Sequence, residues 1–261
     1  MLQKIGSLAA ILRRDPREFM QRVATIAEGR VEPLRVPRGV YTAADPEDAL
    51  ELLASAFGPH VRQALAEPAL ERVEAQVRAR LHELRPRAPY TLAHNADFTL
   101  ARCCYIACRA TAASRVVETG VGYGVTSAFL LAALRENGGG RLDSIDIPPL
   151  ERGSDAVVGA LVPPDLTDAW TVHRGMSRRV LPAVLAEAGP IDVFVHDSQH
   201  TYDNMRFEMD AAWSRLRVGG VLLSDDVEWN AAFTELRARG PRVWGVFDQA
   251  DKPAMFGMAV R

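Results

Sequence analysis

From residue 114 onward, short β-branched apolar runs alternate with helical stretches, and few folds accommodate that order. Strand, helix, strand in succession reads as a βαβ unit, and several in a row read as a parallel sheet covered on both faces. The spacing predicts strands over Arg115–Glu118, Arg141–Asp146, Trp170–Arg174, Ile191–Asp197, Gly220–Ser224, Val243–Phe247 and Met255–Val260. It predicts helices over Val125–Glu136, Asp155–Leu161, Arg178–Ala188, Tyr202–Leu216 and Asn230–Arg239. The connection Asp248–Ala254 is too short for a crossover helix, so the last two strands should form an antiparallel hairpin.

Up to about residue 112 no strand is expected. Asp15-Pro16 and Asp45-Pro46 each put a capping Asp before a Pro at a first helical position, and Gly29 and Gly58 are natural stops. The segment Val31–Gly39 between them reads as an irregular linker. A third helix is expected over Pro68–Leu84, with Leu70, Val73, Val77 and Leu81 on its apolar face, and a fourth over about Asn95–Ala112. His94 and Asn95 are expected to cap that fourth helix. Met1–Leu12 reads as a surface helix, because Arg13-Arg14-Asp15 follows with no small-residue cleavage site.

The chain of 261 residues is 48% hydrophobic and 25% charged, with a formal net charge of -2, which excludes disordered classes and gives no basic footprint for nucleic acid. No run reaches the roughly 18 apolar residues of a membrane span, so no membrane partner is expected. Cys103, Cys104 and Cys108 fall on one helix without a Cys-x-x-Cys, and read as small buried apolar groups in a reducing cytoplasm.

Val116-Val117-Glu118-Thr119-Gly120-Val121-Gly122-Tyr123-Gly124-Val125-Thr126 runs from a buried strand through three glycines into a helix. Glycine lets the backbone approach a ligand, and a helix N-terminus offers free N–H groups. A dinucleotide fingerprint wants Gly or Ala five residues after its first Gly, and here Val125 stands there. The Glu118-x-Gly120-x-Gly122-x-Gly124 form resembles the first motif of the Rossmann-like S-adenosylmethionine (SAM)-dependent methyltransferases. That resemblance implies cofactor contacts from Glu118, the three glycines and Thr126. It implies that Asp146, at the end of the second strand, accepts the ribose hydroxyls. Ser177, after Arg174-Gly175-Met176, takes the place that flanks the adenine.

Two further segments carry chemistry. His196-Asp197-Ser198-Gln199-His200-Thr201-Tyr202 ends the fourth strand, and Gly219-Gly220-Val221-Leu222-Leu223-Ser224-Asp225-Asp226 ends the fifth. If these strands are neighbours, three carboxylates converge and call for a cation between them, and all-oxygen ligands favour a hard ion such as Mg²⁺. The pattern is similar to the metal-dependent O-methyltransferases of the catechol and caffeoyl-CoA types. His200 replaces their Lys, and the Asp-x-x-His-x-Tyr form resembles the macrocin and mycinamicin-type sugar O-methyltransferases. The resemblance covers about residues 114–230. It implies Asp197, Asp225 and Asp226 as metal ligands, Asp197 also beside the cofactor, and His200 as the base. A cephalosporin-hydroxylase-like group shares parts of the pattern.

The expected fold is an α/β, Rossmann-like seven-stranded sheet, mostly parallel, with an antiparallel C-terminal hairpin. Residues 1–90 are expected as a helical extension serving as lid, acceptor pocket or contact in a homo-oligomer, and residues 91–261 as the SAM-dependent methyltransferase domain. The expected activity is Mg²⁺-dependent methylation of a hydroxyl on a sugar or glycosylated small molecule. His196, inside a strand, reads as structural; Trp229 as a sugar-facing wall or core; Tyr202 as a neighbour that orients His200 or stacks near the cofactor. Two alternatives stand beside this. A nicotinamide-dependent oxidoreductase would share the fold, though no Tyr-x-x-x-Lys is present. A non-catalytic SAM-binding module would have no use for the acids and His200.

Overall fold

The computed structural model describes residues 2–32 and 35–261, without the side chains of residues 2, 3, 5 and 94. Of the 31–39 linker, residues 33 and 34 lie outside the described residues. Six helices come first: α1 (Leu2–Arg14), α2 (Pro16–Val31), α3 (Asp48–Phe57), α4 (His60–Ala64), α5 (Pro68–Leu84) and α6 (Phe98–Ala110). Then follow β1 (Arg115–Thr119), α7 (Val125–Glu136), β2 (Arg141–Asp146), β3 (Trp170–Arg174), α8 (Ser177–Ala188), β4 (Ile191–His196), α9 (Tyr202–Arg215), β5 (Leu216–Ser224), α10 (Ala232–Glu235), β6 (Val243–Asp248) and β7 (Met255–Val260). No helix among the described residues is long and apolar enough to cross a membrane.

The seven strands lie in the order β3-β2-β1-β4-β5-β7-β6. β1 to β5 run parallel, and β7 is antiparallel to both β5 and β6. Alternate residues of each strand enter opposite layers. Val116, Val193, Val195, Val221 and Leu223 pack with Leu53, Val73, Val77 and Phe129 on one face. Val117, Ile145, Phe194 and Leu222 pack with Leu181, Met205, Met209 and Trp213 on the other. β4 is buried along its whole length, as a central strand covered on both faces must be. The three cysteines are free and buried in the first layer, and burial pushes the Cys103 thiol up to about 12.

β5 starts at Leu216, four residues before the expected Gly220, α6 starts at Phe98 instead of Asn95, and four further elements differ for local reasons. α3 begins at Asp48 instead of after Asp45, because the preceding chain is held extended along β6: Ala44 N donates to Val246 O at 2.9 Å and Asp248 N to Ala44 O at 3.0 Å. α2 runs through Gly29, which lies outside the glycines with positive φ and so gives no stop signal. The helix expected over 155–161 is one 3₁₀ turn, Ser154–Val157, confined between Gly153 (φ +90°) and Gly159 (φ +69°). The stretch expected as a helix over 230–239 holds only α10 and a 3₁₀ turn. The Asp15 cap acts as expected: it accepts the N–H groups of Arg17 and Glu18, each at 3.0 Å.

Candidate active site

In an open parallel sheet the ligand crevice opens where the strand order reverses, at the carboxyl ends. Here that point lies between β1 and β4. Three backbone bonds continue the ladder past the strand ends and bring the loops side by side. Gly120 N donates to Ile145 O, Asp197 N to Thr119 O and Asp225 N to His196 O, each at 2.8 Å. A cavity of about 680 Å³ opens above them. Gly120, Gly122, Asp146, Ser177, Asp197, His200, Asp225 and Asp226, all expected site residues, lie on its wall.

One end of the cavity is formed by Asp146. Its Oδ2 is buried without a hydrogen-bond partner, and burial raises the carboxyl to about 6. Tyr90 lines the same cavity; its hydroxyl is also buried without a partner, and its ring stacks on Tyr123 at 4.1 Å. An orphaned carboxylate oxygen beside a glycine loop fits a ligand that brings hydroxyl donors. A carboxyl whose pKa is raised on folding binds more protons in the folded than in the unfolded state. It therefore opposes folding above about pH 6, and the penalty fades as pH falls toward 4. Asp146→Asn should stabilise the ligand-free protein by about 1–3 kcal/mol at pH 7.5 and by much less at pH 4. Urea denaturation at the two pH values checks this, and an equal effect at both would contradict it.

The other end holds the acids. Asp197, His200 and Asp225 each offer an atom within 4.8 Å of the others. His200 Nδ1 lies 3.4 Å from Asp226 Oδ2, and its Nε2, 3.9 Å from Asp197 Oδ1, is buried without a hydrogen-bond partner. Asp226 adopts φ +47°, a left-handed turn uncommon for a residue with a Cβ, directly after β5. Burial, then the neighbouring Asp225, raises Asp197 far above the ordinary carboxylate range. Burial also raises Asp225, but Lys252 and His200 outweigh it and hold that carboxyl low. Burial, then Asp225, lifts Asp226 to about 6. His200 is driven down to about 3, first by burial and then by His196, so its imidazole is neutral at pH 7. The buried or partly buried carboxylates of Asp197, Asp225 and Asp226, gathered at one end of the cavity, fit a hard divalent ion, and the unpartnered imidazole nitrogen stands beside them.

Behind this end a buried polar network fixes the loop. His196 Nδ1 and Glu208 Oε2 are 2.6 Å apart, and Thr119 and Ser198 donate their hydroxyls to the same carboxylate. Burial raises Glu208, but His196 and the hydroxyl donors outweigh it and leave it at about 2. The His196 and His200 rings make a T-shaped contact, their centroids 5.3 Å apart and their planes at 86°, which helps to fix the second imidazole.

Residues 117–227 match the family model described as a methyltransferase domain. No curated protein matches the chain in sequence. Among solved structures, the chain is similar to the O-methyltransferase TomG from Streptomyces achromogenes, involved in tomaymycin synthesis and seen in complex with SAM. The identity is 19% over 74% of this chain and 89% of that one, with a TM-score of 0.54. It is similar to the O-methyltransferase from Bacillus cereus in complex with SAH (S-adenosylhomocysteine), at 18% identity over 82% and 97% of the two chains, TM-score 0.53. The SAH-bound methyltransferase PaMTH1 from Podospora anserina aligns at 14% identity over 85% and 99%, TM-score 0.51. At such identities these likenesses establish the Rossmann-like methyltransferase fold.

Three expected cofactor residues stand away from the cavity. Glu118 is fully buried beneath the glycine loop, where Thr126, Ser127 and Ser144 donate their hydroxyls to it at 2.5, 2.6 and 2.7 Å. Its carboxylate thus ties β1 to α7 and β2, and Thr126 serves that tie. Gly124 lies against Gly159, where an added Cβ would come within 2.9 Å of the Gly159 Cα. It serves close packing of the loop. α6 is capped by Asp97, whose Oδ1 accepts Thr99 N at 2.5 Å, and Asn95 lies outside that cap. The His94 side chain lies outside the described residues. Trp229 is 54% exposed under the Arg38 guanidinium, neither core nor cavity wall. Tyr202 turns its hydroxyl to Glu235, away from His200. The cavity also has walls that sequence reasoning passed over: Tyr90, Arg22 and Arg30 from the N-terminal region, and Lys252 from the last hairpin. Alternation of strands and helices marks none of them.

Proposed function

We propose that the protein is a SAM-dependent O-methyltransferase acting on a hydroxyl of a sugar or glycosylated small molecule, with Mg²⁺ held at the acid cluster. One observation carries this reading: a single cavity runs from the orphaned Asp146 oxygen, across Gly120 and Gly122, to Asp197, His200, Asp225 and Asp226. A donor site and an acid-base site then share one enclosure, as group transfer between two small molecules requires. The cavity is of small-molecule size.

Gly120 and Gly122 let the backbone lie against the cofactor, and Asp146 accepts its ribose hydroxyls. Asp197, Asp225 and Asp226 hold the ion. Bound SAM would supply an electrophilic methyl group, and a bound divalent ion would lower the pKa of the acceptor hydroxyl. His200, neutral at pH 7 and with a buried unpartnered Nε2, takes the acceptor proton. Asp226, 3.4 Å from Nδ1, offsets the charge the ring then gains. A His in place of the Lys of catechol-type enzymes, and an ion suited to two neighbouring oxygens, support a vicinal diol as acceptor. Residues Lys4, Arg22, Ile26 and Arg30 of α1 and α2 lie on the cavity wall, which supports residues 1–90 as the acceptor-side extension and 91–261 as the catalytic part.

Calorimetry with SAH and with NADPH is expected to show binding of SAH alone. Release of SAH from SAM is then expected with a subset of a saccharide panel, lost on chelation and restored by Mg²⁺. Binding of NADPH in place of SAH would favour an oxidoreductase. SAH binding with no turnover on any acceptor would favour a non-catalytic module. Turnover unaffected by chelation would remove the ion.

A further inference from the structure

Lys4 and Lys252 are the only lysines in the chain. Lys252 Nζ donates to Asp225 Oδ2 at 2.9 Å and to Asp226 Oδ1 at 3.3 Å. Gln249, from the same loop, donates to the other oxygen of Asp225. The loop is anchored: Asp251 N donates to Asp97 Oδ2 at 2.6 Å, Ala250 N to Thr99 Oγ1 at 3.4 Å and Gln249 N to Ala254 O at 2.9 Å. The ammonium is therefore held over the two acids by a loop fixed to the head of α6. It occupies the space in which a cation would bridge Asp225 and Asp226. Two cations cannot share that space without strong repulsion.

We propose that Lys252 is a tethered counter-cation that competes with a divalent ion for Asp225 and Asp226. Without the ion it balances part of the charge of Asp225 and Asp226 and keeps the acid pair in position. When an ion binds, the ammonium must leave the pair, so Lys252 keeps the ion weakly held and readily exchanged. This inference rests on the reading of the acid cluster as an ion site. Lys252 lies outside residues 117–227, the segment that matches the methyltransferase family model.

Mn²⁺ titration of the full chain, followed by the electron paramagnetic resonance signal of the free ion, tests it without reference to turnover. Lys252→Met is expected to bind Mn²⁺ about 10–100-fold more tightly than the wild type. Lys252→Gln, which keeps a donor for Asp225 but no charge, is expected to follow it and serves if the Met variant fails to fold. Lys252→Arg keeps the charge and is expected to bind as weakly as the wild type. Unchanged or weaker binding in both neutral variants overturns the role of Lys252 and leaves the ion site standing. Absence of Mn²⁺ binding in every protein overturns both.

Discussion

His200→Ala is expected to lower kcat by about 10²–10⁴-fold while SAH affinity stays within about twofold of the wild type. The ring is held by two contacts, His196 at 5.3 Å between ring centroids and Asp226 at 3.4 Å from Nδ1, and Asn230 fixes the backbone by donating to the His200 carbonyl oxygen at 3.0 Å. Its Nε2 is buried without a hydrogen-bond partner. Removing the ring deletes the group that accepts a proton but leaves Asp146 and the glycine loop, at the other end of the cavity, as they are. Turnover is read as SAH formation and affinity by calorimetry. Added imidazole should restore part of the rate, an effect that mere loosening of the fold would not give. Full activity in the variant would remove His200 from the chemistry.

Gly120→Ala is expected to abolish SAH binding and to destabilise the protein by about 3–5 kcal/mol. Gly120 has φ +84°, and a Cβ there would lie 1.9 Å from Asp197 O and 2.8 Å from Ser198 N. These are backbone atoms of the next loop, fixed by the bond from Asp197 N to Thr119 O at 2.8 Å, so they cannot swing away as a flexible side chain would. Left-handed strain and a backbone collision therefore add. Gly138→Ala separates the two causes. Gly138 also has positive φ, +89°, but an added Cβ meets nothing within 4 Å. Strain alone should cost about 1–2 kcal/mol there. Equal losses in both variants, measured by urea denaturation, would mean that the approach of Asp197 carries no weight.

Both variants probe parts of the site that were legible in the sequence. The glycine loop and the end of β4 could be read directly, because each is a contiguous run of strand, turn and helix. A buried parallel strand must be apolar along its length, and a tight turn onto a ligand must be glycine. Glu118 shows the limit. Its position before Gly120 suggested a ligand, yet side chains alternate across a strand, and Glu118 takes the face under α7, where three hydroxyls satisfy it. The polar partners that make this burial tolerable, Ser127 and Ser144 among them, are spread over separate elements and leave no local pattern.

By itself the amino-acid order determined the layered α/β fold, the crevice at the strand ends, and Asp146, Asp197, His200, Asp225 and Asp226 as residues on its wall. Each of these follows from short-range periodicity, which backbone geometry converts into position. Tertiary structure alone decided that Lys252 and Gln249 reach Asp225. β7 runs antiparallel to β5, pairing Ser224 with Gly257, so the loop before β7 hangs at the same edge as the acids that end β5. It alone also decided that α1 and α2 wall the cavity, through contacts such as Arg22 Nη2 to Pro148 O at 3.0 Å. Contacts across 126 residues or between antiparallel edges depend on how finished elements pack, and no local spacing encodes them.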